Sequence, residues 1–492
     1  MRKHALFAVL VILALLPSLP QAKALSGPCC EYAFVVSDVQ PKPGEPVIFA
    51  GVITDQFGAG DSGAQIQYHD SSQPQGFFLN ATTDSSGGFT LTATIPQGSY
   101  PDPIQFTLSL TDTTSNWSEL VSDTFPSPIT APLGTLPGLY SSSLGVGRSN
   151  VYYNIQSPSL PAVLYVGGGF EQPNLHGVSS LDDGTKNFLD TLASKGFNVI
   201  SPIGWFVNDL PTFPFILGAM LKNAFHMSQV YLIGWSAGGN VAAWTLTRDL
   251  NSIFNLGVIM DAELNGSMNQ TLTDPTVFTT LQAAGSVKVP HLLIWGQNEA
   301  GTTSIQNAMS WAAKVPSGLA RLDPFAYSHE WIGTNVEDQV TGDIIAFFNA
   351  RSVGTLNRLQ SGNIAYAVLT NSQLNASTAS YDPNKKTYLL QTTGQDGTTA
   401  SVNIALPISS VDGPPAVLLD NNLVSVAYSS DANNYYIYLT YTQSSHTLLI
   451  GGQNTVPEFP NVSGTFQLLL SLCFLVLFTS IKKRRDSRKT RT

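Results

Sequence analysis

Between residues 138 and 354, short apolar runs alternate with helical stretches. The runs 162–166, 198–203, 230–234, 256–260, 291–295 and 319–327 are strand-length and largely uninterrupted by polar residues. Strands buried on both faces read this way. Helical patterns follow most of them, at 183–195, 215–225, 237–250, 304–315 and 336–350. A parallel sheet needs such crossovers, and the helices must then cover both of its faces. The stretches 140–147 and 151–155 are expected to add an antiparallel pair at the start.

The flanks read differently. Residues 31–128 alternate every second position, as in Phe89-Thr90-Leu91-Thr92-Ala93-Thr94-Ile95, with turns such as Asp84-Ser85-Ser86-Gly87-Gly88 between runs. Short strands at this spacing predict a β-sandwich. The pattern resembles immunoglobulin-like modules of surface proteins. Pro126, Pro128, Pro132 and Pro137 mark a linker, placed at 129–137. Residues 355–455 are again β-rich and predict a second small sandwich. There the turn at Tyr381-Asp382-Pro383-Asn384-Lys385-Lys386 joins two strands, and 435–441 with 446–450 is expected to form a closing hairpin.

Composition agrees with an exported, β-rich chain. Charged residues are only 11%, against a usual share of about 25%. Ten of the 23 Lys and Arg lie in the first 23 and last 11 residues, so 25–481 carries 13 basic against 32 acidic residues. Such a surface repels phosphate backbones, which argues against nucleic acid as a partner. Three cysteines give no disulfide framework and no metal spacing. Adjacent Cys29 and Cys30 fit either a disulfide between neighbours or two thiols; a lipid-anchored cysteine fits less well. Neither a metal nor a cofactor is implied.

Both ends read as addresses. Residues 1–24 have a charged start, an apolar run and the A-x-A site Ala22-Lys23-Ala24, as a secretory signal does. The run 466–481, extended by Ser463-Gly464-Thr465, is just long enough to span a bilayer. Seven basic residues follow it, which would keep the tail on the cytoplasmic side. Val456-Pro457-Glu458-Phe459-Pro460 precedes the run. With the run and the basic tail, 456–492 resembles the Pro-Glu-Phe sorting signals of archaeal surface proteins. That resemblance implies a sorting enzyme that exchanges the helix for another anchor. The expectation is a catalytic region outside the cell. Sequons at Asn80, Asn116, Asn265, Asn269, Asn375 and Asn461 are compatible with a glycosylated exterior.

The chemistry points to Gly234-Trp235-Ser236-Ala237-Gly238. It falls between a predicted strand and a predicted helix. A sharp strand-to-helix turn crowds the flanking positions, which therefore need glycine, and lifts the serine hydroxyl to a helix N-terminus. A histidine in Tyr327-Ser328-His329-Glu330-Trp331 follows the last predicted strand.

Residues 138–354 thereby resemble the α/β-hydrolases. The expected fold is an α/β-hydrolase, a mostly parallel sheet with helices on both faces, flanked by two small all-β sandwiches. The resemblance implies Ser236 as nucleophile, His329 as base and an acid two strands beyond the nucleophile. Glu299, three residues after Gly296, fits that place. Asp261 is the alternative acid and Glu263 a third. The resemblance also implies an oxyanion hole from the N–H of Ala237 and that of Gly169 or Phe170, in the loop Gly167-Gly168-Gly169-Phe170. Trp205, Phe206, Phe213, Phe215 and Trp331 are expected near the mouth, in part as core. The expected activity is cleavage of carboxylic esters, in small molecules or polymers, through an acyl-enzyme. A serine peptidase of the same fold is one alternative, and a surface adhesion protein with an inactive hydrolase domain is another.

Overall fold

The computed structural model describes residues 30–36, 46–70, 77–94, 105–124, 139–141, 148–149, 151–168, 181–203, 212–264 and 280–455. The signal-like start, the linker, and the sorting motif with its apolar run and basic tail lie outside them. No helix among the described residues is long and apolar enough to cross a membrane.

The centre is a seven-stranded sheet. Its strands are β1 (Val151–Asn154), β2 (Ala162–Val166), β3 (Asn198–Pro202), β4 (Val230–Trp235), β5 (Leu256–Met260), β6 (His291–Gly296) and β7 (Ala320–Phe325). Their order is β1-β3-β2-β4-β5-β6-β7. All neighbours are parallel except β1 on β3, where Val151 faces Pro202. Alternate residues of each strand enter different cores. Leu164, Leu232, Ile259 and Leu293 face helices α2 (Phe213–Ala219), α3 (Ala237–Arg248) and α4 (Ile305–Lys314). Val163, Tyr231, Val258 and Leu292 face α1 (Asp183–Ser194) and α5 (Glu337–Ala350). This is why the strands carry no polar alternation, except in β7, where Arg321 and Asp323 flank Leu322.

Local signals set the helix ends. Asp182 caps α1 by accepting the N–H of Thr185 at 2.9 Å. Its buried Phe188, Leu189 and Leu192 form one stripe. Helix α2 is buried on every side, with Pro214 in its first turn. It begins two residues before the expected 215 and ends in a wider five-residue coil, Met220–Ala224.

Two sheets precede the centre and pack face to face. One has the order Gly88–Thr94, Pro46–Thr54, Glu31–Val36, Leu139–Ser141, Arg148–Ser149; the other has Phe77–Thr82, Gln65–Asp70, Gln105–Asp112, Trp117–Thr124. Phe49 fills the space between them, 5.3 Å from the ring of Tyr68 and 5.4 Å from that of Phe106. The outer face of the first sheet, with Ala33, Val35 and Val52, packs into the same core as α2. Leu139–Ser141 corrects the expected pairing of 140–147 with 151–155. It pairs with Glu31–Val36 instead, while Val151–Asn154 joins the central sheet. Val151 and Tyr152 bury on opposite faces, which only a strand covered on both sides allows.

Two further sheets follow the centre. Tyr366, Val402 and Ile437 of one meet Tyr388, Val417 and Ile450 of the other. The turn after Asp382 forms as expected, with Asp382 Oδ1 accepting the N–H of Asn384 at 2.9 Å. The closing hairpin does not form. Asn434–Thr442 lies in one sheet and His446–Gly452 in the other, each already paired along both edges.

This second sandwich covers the outer edge of β7. Asn403 donates to the carbonyl of Leu322 and accepts its N–H, both at 2.8 Å. Thr440 donates to the carbonyl of Pro324 at 2.6 Å, and Ser401 donates to Asp323. Arg321 is buried between Asp323 and Asp343, with contacts of 2.7 and 2.8 Å.

Candidate active site

Ser236 stands between β4 and α3 with φ 55° and ψ −119°. A non-glycine residue held there costs roughly 1–3 kcal/mol. The surroundings impose it. A Cβ at Gly234 would lie 2.2 Å from the carbonyl of Gly238, and one at Gly238 would lie 2.0 Å from that of Val166. Only glycine lets the strand and helix close this tightly. The serine N–H donates to Met260 at 2.9 Å, which ties the turn to β5.

The serine side chain does not cap α3. Its Oγ lies 2.9 Å from Nε2 of His329, and Nδ1 of that ring lies 3.1 Å from Oε1 of Glu299. A carboxylate only accepts, so the proton belongs on Nδ1 and Nε2 keeps its lone pair for the serine hydroxyl. The side chain of His329 is 23% exposed and that of Glu299 7%. The line of groups thus runs from a partly exposed hydroxyl to a nearly buried carboxyl.

His329 sits four residues beyond β7. The indole of Trp235, inside the serine motif, donates to the carbonyl of His329 at 3.3 Å, and the two rings lie 5.5 Å apart. Glu299 follows β6, where the N–H groups of Gln297 and Asn298 donate to Phe325 and Tyr327 at 2.8 and 3.0 Å. These bonds join the turn bearing Glu299 to the one bearing His329. Thr303 also donates its hydroxyl to Oε1 of Glu299. Sequence reasoning missed Trp235, Thr303 and Tyr327; the positions of Trp235 in the serine motif and of Tyr327 in the histidine segment were the available signals.

Asp261 and Glu263 do not hold the place beside Nδ1, which Glu299 occupies. Asp261 is fully buried and accepts the N–H of Gly296 at 2.9 Å and the hydroxyl of Tyr327 at 2.8 Å. Burial pushes its carboxyl well above the usual carboxylate range, against the pull of those two bonds.

Ala237 is the first residue of α3, so its N–H lies outside the helical ladder, beside the serine. Gly168 closes in from β2: a Cβ there would lie 3.1 Å from the Cβ of Ser236. Gly169 and Phe170, the other expected donors, lie outside the described residues, as do Trp205 and Phe206. Phe213, Phe215 and Trp331 are not at a mouth. All three have no exposed surface, and Trp331 packs edge-on against Phe188 at 5.0 Å.

The other histidines after Ser236 serve elsewhere. His291 is buried between the carbonyl of Val289 and the indole of Trp311. His446 lies in the second sandwich against Asp420. One group of possible metal ligands stands together among the described residues, at Cys30, Asp61 and Asp112. Cys30 is disulfide-bonded and so offers no thiolate.

No protein-family model matches the chain, and no curated protein does. Solved structures do. Est1E from Butyrivibrio proteoclasticus is 12% identical with a TM-score of 0.33, over 42% of this chain and 94% of that one. A Paleococcus ferrophilus monoacylglycerol lipase is 14% identical with a TM-score of 0.32, over 41% and 99%. The esterase domain of a Rhodothermus marinus protein is 12% identical with a TM-score of 0.33, over 42% and 95%.

Proposed function

We propose that the chain is a serine hydrolase that cleaves carboxylic esters through an acyl-enzyme. The observation that carries this is the line of contacts Ser236 Oγ to His329 Nε2 at 2.9 Å and His329 Nδ1 to Glu299 Oε1 at 3.1 Å, on a serine held at φ 55°. In this reading His329 takes the hydroxyl proton as Ser236 attacks the carbonyl carbon. Glu299 fixes the ring and balances the charge of the imidazolium. The negative oxygen of the tetrahedral intermediate is held by the N–H of Ala237 and by that of Gly169 or Phe170. The imidazolium then protonates the leaving alcohol, and water repeats the cycle to release the acid.

The signal-like 1–24 and the sorting-like 456–492 support placing this chemistry outside the cell, with a membrane anchor at the C-terminus.

The test is turnover of short-chain nitrophenyl esters by the full chain, with Ser236→Ala beside it. Wild type should exceed the variant by about a thousandfold or more, and a fluorophosphonate should label only the wild type. Equal turnover with no labelling of either would leave the adhesion-protein reading. Hydrolysis of peptides but not esters would favour the peptidase.

A further inference from the structure

We infer that Thr303 is a positioning residue for the reaction proposed above, holding the carboxylate of Glu299 in the place where it meets His329. The inference rests on that reading of Ser236, His329 and Glu299.

A glutamate reaches the imidazole through one more rotatable bond than an aspartate would. Each free torsion adds rotamers that miss the ring. Something must select one of them, and Thr303 is placed to do so. Its hydroxyl donates to Oε1 of Glu299, the same oxygen that faces Nδ1 of His329. A hydroxyl has one proton to give. The competing acceptor, the carbonyl of Ala300, lies at 3.5 Å, the outer limit for a hydrogen bond.

The threonine is itself fixed. It ends the short turn Gly301–Thr303, which Gly301 enters at φ 76°. The indole of Trp295, fully buried at the end of β6, donates to the carbonyl of Thr303 at 2.5 Å. The N–H of Ser304 closes the turn on Gly301 at 3.3 Å. A core tryptophan thus sets the turn, the turn sets the hydroxyl, and the hydroxyl sets the acid.

The test uses three variants of the full chain on a nitrophenyl ester. Thr303→Val keeps the shape and removes the donor. It should lower kcat about tenfold or more and leave KM within about twofold, since the hydroxyl acts only through the acid. Thr303→Ser keeps the donor and should restore kcat to within about threefold of wild type. Thr303→Ala introduces no bulk into the half-buried turn and gives the same readout as valine if the valine variant folds poorly. In a Glu299→Gln background, Thr303→Val should cost nothing further. The inference is overturned if valine and alanine leave kcat unchanged, if serine is as impaired as valine, or if the losses at 299 and 303 multiply. Failure of the hydrolase reading looks different, because Ser236→Ala would then match wild type whatever residue stands at 303.

Discussion

Tyr327 donates its hydroxyl to Oδ2 of Asp261 at 2.8 Å, and both residues are buried. The other oxygen of Asp261 takes the N–H of Gly296. One carboxyl therefore links the end of β5, the end of β6 and the segment that leads to His329. It is a brace for the site, not the partner of the imidazole.

Asp261→Asn should consequently keep turnover within about fivefold of wild type, while Glu299→Gln should lose about a thousandfold or more. Steady-state rates on one ester decide between them. The pH dependence has a definite sign. Burial raises the carboxyl of Asp261 in the fold. Its contribution to stability is present below the ordinary carboxylate range and declines as pH rises through the raised value. Asp261→Asn should therefore gain stability relative to wild type as pH rises above the ordinary carboxylate range. A gain that appears only on acidification would contradict this.

His291 makes the opposite prediction. Burial pushes its imidazole from 6.5 down to about 4, although the carbonyl of Val289 pulls the other way. The folded ring stays neutral where the unfolded one binds a proton. Its contribution is full above pH 6.5 and is lost as pH falls toward 4. The difference corresponds to about 3 kcal/mol. Denaturant unfolding across that window should show the loss, and His291→Gln should flatten it. An unchanged slope in the variant would assign the acid sensitivity to other groups.

A second serine, histidine and aspartate stand together at Ser444, His446 and Asp420, with Nδ1 2.6 Å from Asp420 and Nε2 2.8 Å from Ser444. Here the carbonyl of Thr442 also lies 2.8 Å from Nε2. A carbonyl only accepts, so it draws a proton onto the nitrogen that a general base would need free. His446→Gln should leave ester turnover unchanged. Mass spectrometry of the fluorophosphonate-labelled chain should find the adduct on the peptide containing Ser236 and none on that containing Ser444.

Arg321→Met should destabilise the fold by about 3–5 kcal/mol, because it leaves Asp323 and Asp343 buried without their cation. Burial, with Asp323 beside it, already pushes Asp343 well above the usual range, and the arginine offsets part of that. Adding Asp343→Asn should recover some of the loss. Thermal unfolding of the two variants measures both effects.

The central sheet was legible because each strand buries both faces, so apolar runs such as Ala162–Val166 stand out from the amphipathic helices between them. The serine and histidine were legible because each follows a strand. Glu299 is legible as the first choice of acid from its place three residues after Gly296; Asp261 also follows a strand, and only the three-dimensional path of Tyr327 gives it another task. The crossing between Asn434–Thr442 and His446–Gly452 was equally hidden. Three residues can turn a hairpin or change sheets, and edge pairing with distant strands made the decision. Leu139–Ser141 failed for the same reason, as its partner Glu31–Val36 lies more than a hundred residues earlier.

Asn403 replaces a missing neighbour strand. Its amide satisfies both main-chain groups of Leu322, and Thr440 takes the carbonyl of Pro324. Side chains thus occupy these donors and acceptors on the outer edge of β7, where another molecule's backbone could otherwise pair. Each polypeptide carries its own terminator for sheet growth. A fragment cut after Ala350 would lose it, and its central sheet would be exposed to fibre-like self-association along the very strand that leads to His329.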